Sequence, residues 1–179
     1  MNVKGTHTFK IPPAELWNYL MNPQVLAEIT PGDTNLTTLA EDQYEAVSNI
    51  KIGPVKGTFE GALSVEDKVA PESFVINMKQ KSKIGNAQGK INMQLQEMEA
   101  GSTQLSFDGK VKLSGMIART GQRVLSGVAN ALSQEVFTAL DAYIENNKTA
   151  ADTGASVKAS KVSIWSIILA FFRNLFKKN

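Results

Sequence analysis

Residues 115–146 read GMIARTGQRVLSGVANALSQEVFTALDAYIEN, and their spacing predicts one long helix. Ile117, Val124, Leu125, Val128, Leu132, Val136, Leu140 and Tyr143 recur every three or four residues, which gathers them on one face. Arg119, Arg123, Asn130, Gln134 and Asp141 take the opposite side. Two glycines, Gly121 and Gly127, fall inside the expected helix, each at a cost of about 1 kcal/mol relative to alanine. Gly121 lies on the apolar face, so a close approach to its backbone is expected there, by a neighbouring strand or by a ligand.

Upstream of this helix the period changes from helical to alternating. From Thr34 to Leu113 apolar and polar residues alternate in runs broken by Gly53-Pro54, Ala70-Pro71, Gly85-Asn86 and Gly101, the pattern of consecutive antiparallel strands. Lys56, Glu60, Lys79, Lys81, Lys90, Gln94 and Asp108 lie on the outward side, so one face meets water and the other is covered. The first segment, Asn2 to Lys10, also alternates and reads as a strand, with His7 in its inward register. Pro12-Pro13 ends it and opens a short helix through Leu16, Trp17 and Leu20. Asn22-Pro23 starts a second through Val25, Leu26 and Ile29, and Pro31-Gly32-Asp33 is a turn signal. One strand, two short helices, a run of strands and a long final helix make an α+β fold, with the long helix as cover for the sheet.

The inward face mixes small and large residues. Gly57, Gly61, Ser82, Ala87, Gly89 and Gly109 share it with Phe59, Phe74, Met78, Met93 and Phe107. Inward glycines let a long sheet curl tightly, or leave a cavity beneath the helix, and the two readings are compatible. A cavity would be roofed by Met116, Ile117, Gly121, Leu125 and Val128, with Gly121 its lowest point, while the helix from Leu132 to Tyr143 would be ordinary core. Methionines suit a flexible apolar ligand, although they also serve as plain core. His7 is either a satisfied core histidine or a donor to the polar head of a bound molecule.

Composition narrows the chemistry. The 179 residues are 42% hydrophobic and 20% charged, enough for one domain with a core and an appendage. The chain has no cysteine, which excludes disulfides, thiolate metal sites and cysteine nucleophiles and fits a cytosolic protein. His7 is its one histidine, so a multi-histidine metal site is excluded. A net charge of +2 gives no argument for nucleic acid, and no aromatic platform accompanies the lysines around residue 80. The first residues lack a charged region followed by an apolar run, so no secretory signal is expected. An enzyme would need acid–base groups inside the cavity, where the register brings only His7, so a non-catalytic protein is expected.

Beyond residue 146 the composition shifts. Residues 147–160 are rich in Ala, Thr, Ser, Gly and Lys and read as a flexible linker. Residues 161–179 then read as an amphipathic helix. Ile164, Trp165, Ile168, Phe171, Phe172 and Phe176 lie on its broad apolar arc, with Arg173, Lys177 and Lys178 as the basic complement. The run from Val162 to Phe172 spans about 16 Å as a helix, too short for a bilayer span, and its aromatic and basic residues fit a helix lying on an anionic membrane surface. Packing onto the domain or a partner is the alternative.

Four stretches carry a family resemblance: Phe9 to Trp17 (FKIPPAELW), Asn22 to Leu26 (NPQVL), Ile29 to Gly32 (ITPG), and Ile52 to Gly57 (IGPVKG) with Phe59 and Gly61. Together they resemble the carbon monoxide dehydrogenase G-subunit family, within the START-like (SRPBCC, helix-grip) superfamily, over roughly residues 1–144. The resemblance implies a curved antiparallel sheet wrapped on a long C-terminal helix with a hydrophobic cavity between them. It also implies a membrane-associating tail and association with a molybdenum hydroxylase of the carbon monoxide dehydrogenase type. Asp33 stands where family members commonly carry Cys.

The expected organisation is a ligand-binding domain over residues 1–146, the linker and the tail. The expected ligand-binding residues are His7, Phe59, Gly61, Phe74, Met78, Met93, Phe107, Met116, Ile117, Gly121 and Leu125. No covalent cofactor, metal or catalytic residue is expected. The expected function is to hold an apolar lipid, a respiratory quinone or other isoprenoid, on the cytoplasmic face of the cell membrane. That would link the dehydrogenase to the membrane or the quinone pool. The alternative is a ligand-free tether or assembly factor for the same enzyme.

Overall fold

A computed structural model describes residues 1–152 of the chain. The chain divides into two units, Met1–Tyr143 and Ile144–Asn179.

The first unit is built on seven antiparallel strands. They are β1 (Asn2–Phe9), β2 (Asp33–Ala40), β3 (Gln43–Ile52), β4 (Val55–Val69), β5 (Ser73–Ser82), β6 (Gly85–Met98) and β7 (Ser102–Leu113). Their order in the sheet is β1-β7-β6-β5-β4-β3-β2, so each neighbour from β2 to β7 follows in sequence and β1 closes onto β7. Alternation sets the register. Gly5, Phe107, Met93 and Phe74 form one inward row across four strands, and Asp108, Asn92 and Lys4 form an outward one. The edge strand β2 falls within the stretch read as strands, though with no inward face of its own. Its sequence DTNLTTLA lies mostly at the surface, with Leu39 62% exposed, so no buried face imposes a period.

Two short helices cross from β1 to β2. In α1 (Pro13–Leu20) the ring of Pro13 occupies the first turn, where its missing N–H costs nothing, and Leu16 and Leu20 are buried. In α2 (Pro23–Ile29) the Asn22 side-chain oxygen accepts from the Gln24 N–H at 2.9 Å, an N-cap that offsets one unpaired donor of the first turn. Trp17 of α1 meets Phe74 edge to face, with ring centroids 5.6 Å apart, so α1 closes that end of the inner face.

The final helix differs from its expected extent. α3 runs Gln122–Asp152, preceded by a separate 3-10 turn, Ile117–Thr120. Gly121 stands between them with φ 93° and ψ 137°, outside helical space, so residues 115–121 do not belong to one helix with the rest. At its other end α3 continues to Asp152, six residues into the stretch expected to be a linker from 147. The remainder of that linker and the amphipathic helix expected over residues 161–179 lie outside the described residues. No helix among the described residues is long and apolar enough to cross a membrane.

Two groups of buried side chains hold the helix on the sheet. Near the start of α3, Leu125 packs with Ile117, Val55 and Phe59. Further along, Phe137 and Leu140 are buried, and the Phe137 ring meets Phe9 and Phe107 at centroid distances of 6.2 and 6.0 Å.

Candidate functional site: an apolar cavity between sheet and helix

Between α3 and the inner face lies a cavity of about 410 Å³, partly open to solvent. Its volume falls within the range of roughly 300–1,000 Å³ that holds small molecules. Strands β1, β3, β4, β5, β6 and β7 all contribute to its wall, which requires the sheet to curl around it. Phe59, Leu63, Met78, Ile91 and Phe107 form the floor, while Ile117, Leu125, Val128, Leu132 and Val136 form the roof. Among the described residues no acidic, basic or imidazole side chain lines it. A smaller pocket of about 270 Å³ adjoins it at Ile50 and carries the polar groups of Asn49, Lys51 and Glu135.

Of the residues expected to contact a ligand, Phe59, Met78, Phe107, Ile117 and Leu125 are brought together in this wall. The other six lie elsewhere. His7 Nε2 is 2.7 Å from Asp141 Oδ2, and its ring stacks on Phe137 at 5.0 Å and meets Phe9 edge-on at 4.6 Å. His7 therefore ties β1 to α3 and is a satisfied structural residue. Phe74 is covered by Trp17, and Met93 sits in the same cross-strand row between Phe74 and Phe107, at the end that α1 closes. Met116 is 63% exposed, because the chain before the 3-10 turn swings it away from the sheet. Gly121 is exposed and a Cβ there would meet nothing within 4 Å, so no strand among the described residues comes close to it.

Gly61 also lies outside the wall. A Cβ on Gly61 would strike the backbone carbonyl of Lys79 on the adjacent strand. A Cβ at Gly109 would lie 2.6 Å from the Lys90 carbonyl oxygen. These glycines permit close approach between strands of the curled sheet, and none of the glycines lines the cavity. The small residues that do leave room are Ala46, Ala87 and Ala129.

The polar lining is sparse. The Ser48 hydroxyl bonds the Thr34 hydroxyl at 2.9 Å, Thr30 donates to the Leu26 carbonyl, and Ser133 donates to the Ala129 carbonyl at 3.0 Å. Gln80 differs. It is 9% exposed, lines the cavity, and its side-chain amide makes no hydrogen bond among the described residues. Its amide is therefore available to a group in the partly open cavity. Two residues on, the Ser82 hydroxyl is buried without a partner, outside the wall. Gln80 is legible in the sequence as an inward polar residue among apolar neighbours on β5. Leu132, Ser133 and Val136 escape sequence reasoning, because an apolar helix face reads alike over core and over a void.

The fold is shared with solved structures. A conserved protein from Geobacillus kaustophilus is 27% identical, with a TM-score of 0.79, over 82% of this chain and 96% of that one. A START superfamily protein from Mycobacterium smegmatis is 13% identical, with a TM-score of 0.64, over 81% of this chain and 97% of that one. An aromatase/cyclase from a Streptomyces species is 15% identical, with a TM-score of 0.62, over 84% of this chain and 97% of that one. The last two matches show the helix-grip architecture alone, which serves enzymes as well as binding proteins. No curated protein matches the chain at the sequence level. The family model for the carbon monoxide dehydrogenase G-subunit, CoxG, matches residues 5–145, covering β1 through most of α3, and the chain belongs to that family.

Proposed function

We propose that the domain binds an apolar, membrane-derived molecule with a polar carbonyl head, and that a respiratory quinone is its ligand. The observation that carries this reading is the cavity itself: about 410 Å³, walled by aliphatic, aromatic and methionine side chains, with one unpartnered amide at Gln80. The Gln80 amide offers an N–H donor to a ring carbonyl. Each methylene of a tail moved from water into such a wall contributes about 0.8 kcal/mol. The volume suits a ring head with the first units of a tail, not a whole long-chain lipid.

The wall offers no general acid or base side chain, so binding and transfer, not catalysis, fit its chemistry. Family membership supports association with a carbon monoxide dehydrogenase, an enzyme that must pass its electrons on. In this reading the protein carries or presents quinone to that enzyme at the cytoplasmic face of the membrane, with residues 161–179 as the membrane anchor. Lipid extraction of protein purified from its own host tests it. Recovery of quinone near one molecule per chain is the expected result. A ligand-free tether would yield none above a control protein handled the same way.

A further inference from the structure

The net charge of +2 hides a strong polarity along the sheet. At one rim stand Lys51 and Lys56 on either side of the β3–β4 turn, and Lys83 in the β5–β6 turn. Lys112 at the end of β7, Arg119 in the 3-10 turn and Arg123 in the first turn of α3 complete it. All six are exposed and none has an ion-pair partner among the described residues. The acidic residues nearest this rim by position are Asp33, Glu60 and Glu135. At the opposite rim the turns and strand ends carry Glu41, Asp42, Glu66, Asp67, Glu72, Glu97 and Glu99, with Lys68 paired to Asp42 among them.

The basic rim is also where the cavity ends. Ile50, Val55, Ala87 and Leu113, the inward residues nearest these turns, line it, as does Ile117 of the 3-10 turn. Beside them two apolar side chains face outward: Met116 is 63% and Val124 43% exposed, and they flank Arg119 and Arg123. Exposed apolar residues set among unpaired cations match a surface that has anionic headgroups over hydrocarbon.

We infer that this rim, the β3–β4 and β5–β6 turns together with residues 114–123, is a docking surface for an anionic lipid bilayer. Its cations meet the headgroups, and Met116 and Val124 enter the interface. Docked so, the cavity opens toward the membrane and its ligand moves between bilayer and cavity without crossing water. The route for the ligand rests on the proposed function, whereas the docking itself does not require that any ligand be bound.

The absence of cysteine from the chain gives a direct test with the full-length protein. An environment-sensitive fluorophore is attached to Met116→Cys, and in a second variant to Leu39→Cys, which lies 62% exposed near the acidic rim. Each is mixed with vesicles of phosphatidylglycerol and phosphatidylcholine, and with vesicles of phosphatidylcholine alone. With the anionic vesicles, the label at 116 is expected to shift to the blue and become shielded from iodide, while the label at 39 stays accessible. High salt should reverse the change, since surface charge is screened within a few ångströms at molar ionic strength. The fourfold variant Lys51→Glu, Lys83→Glu, Arg119→Glu, Arg123→Glu should weaken binding to anionic vesicles by at least about tenfold. If the label at 116 stays as accessible as that at 39 while the protein sediments with vesicles, the tail alone recruits it and the inference is overturned. If neither vesicle changes the label at 116, the rim faces something other than lipid and the inference is equally overturned. Quinone recovered from purified protein is scored separately, so loss of the ligand reading and loss of the docking reading give different results.

Discussion

At the scale of single residues, Gln80 and His7 exchange the roles that their chemistry suggests at first sight. His7 is an imidazole, yet Asp141 engages its Nε2 and its ring packs against Phe9 and Phe137. Replacing His7 with Ala is expected to lower stability by about 1–2 kcal/mol while leaving ligand content unchanged, as measured by urea denaturation and lipid extraction. Gln80 should do the reverse. Gln80→Leu removes the one side-chain amide of the cavity wall, so the empty protein should keep its stability while retained quinone falls. Tyr44 adds a pH signature. Burial, with Asp42 adding and Lys68 opposing, raises its phenol above the ordinary value near 10. The folded state then holds the proton more tightly than the unfolded one. Stability is therefore complete below pH 10 and falls as pH rises from there through the folded-state pKa. Tyr19 is raised in the same direction, chiefly by burial. Denaturation of Tyr44→Phe between pH 9 and 11 should show a shallower loss than the parent.

At the scale of elements, the strands and two short helices are legible in the sequence because alternation and proline placement are local signals. Pro13 at the first turn and the Asn22 cap carry their meaning in the residue type itself. The start of α3 is not legible, since the apolar spacing runs on through Ile117 although Gly121 breaks the backbone with φ 93°. Periodicity records which side is covered, whereas the dihedral of one glycine decides where a helix begins. The inward glycines show the same limit. Their register is legible, but that Gly61 faces the Lys79 carbonyl of β5 depends on the curl of the whole sheet. The two positions should respond differently to alanine. Gly61→Ala meets backbone that cannot move aside and is expected to cost at least about 2 kcal/mol. Gly121→Ala has open space and pays only for its positive φ, about 1–2 kcal/mol. Denaturant midpoints of the two variants, compared at equal m-values, separate these costs.

At the scale of the whole molecule, the cavity and the basic rim together describe a container with a charged mouth. The existence of a covered inner face follows from alternation, but the size of the space left inside depends on how closely α3 approaches, which no residue pattern records. If the container reading holds, filling it should abolish its contents without unfolding the domain. Ala129→Phe projects a ring from α3 into the void and should leave thermal stability within a few degrees of the parent. Deleting residues 161–179 should weaken association with anionic membranes but not abolish it, because the rim remains.

The most direct measurement of a binding role is quantitative mass spectrometry of lipids extracted from the natively expressed protein beside its Ala129→Phe variant. Quinone near one molecule per chain in the parent, and background in the folded variant, is the expected result. A folded parent that repeatedly carries no apolar molecule above background would contradict it.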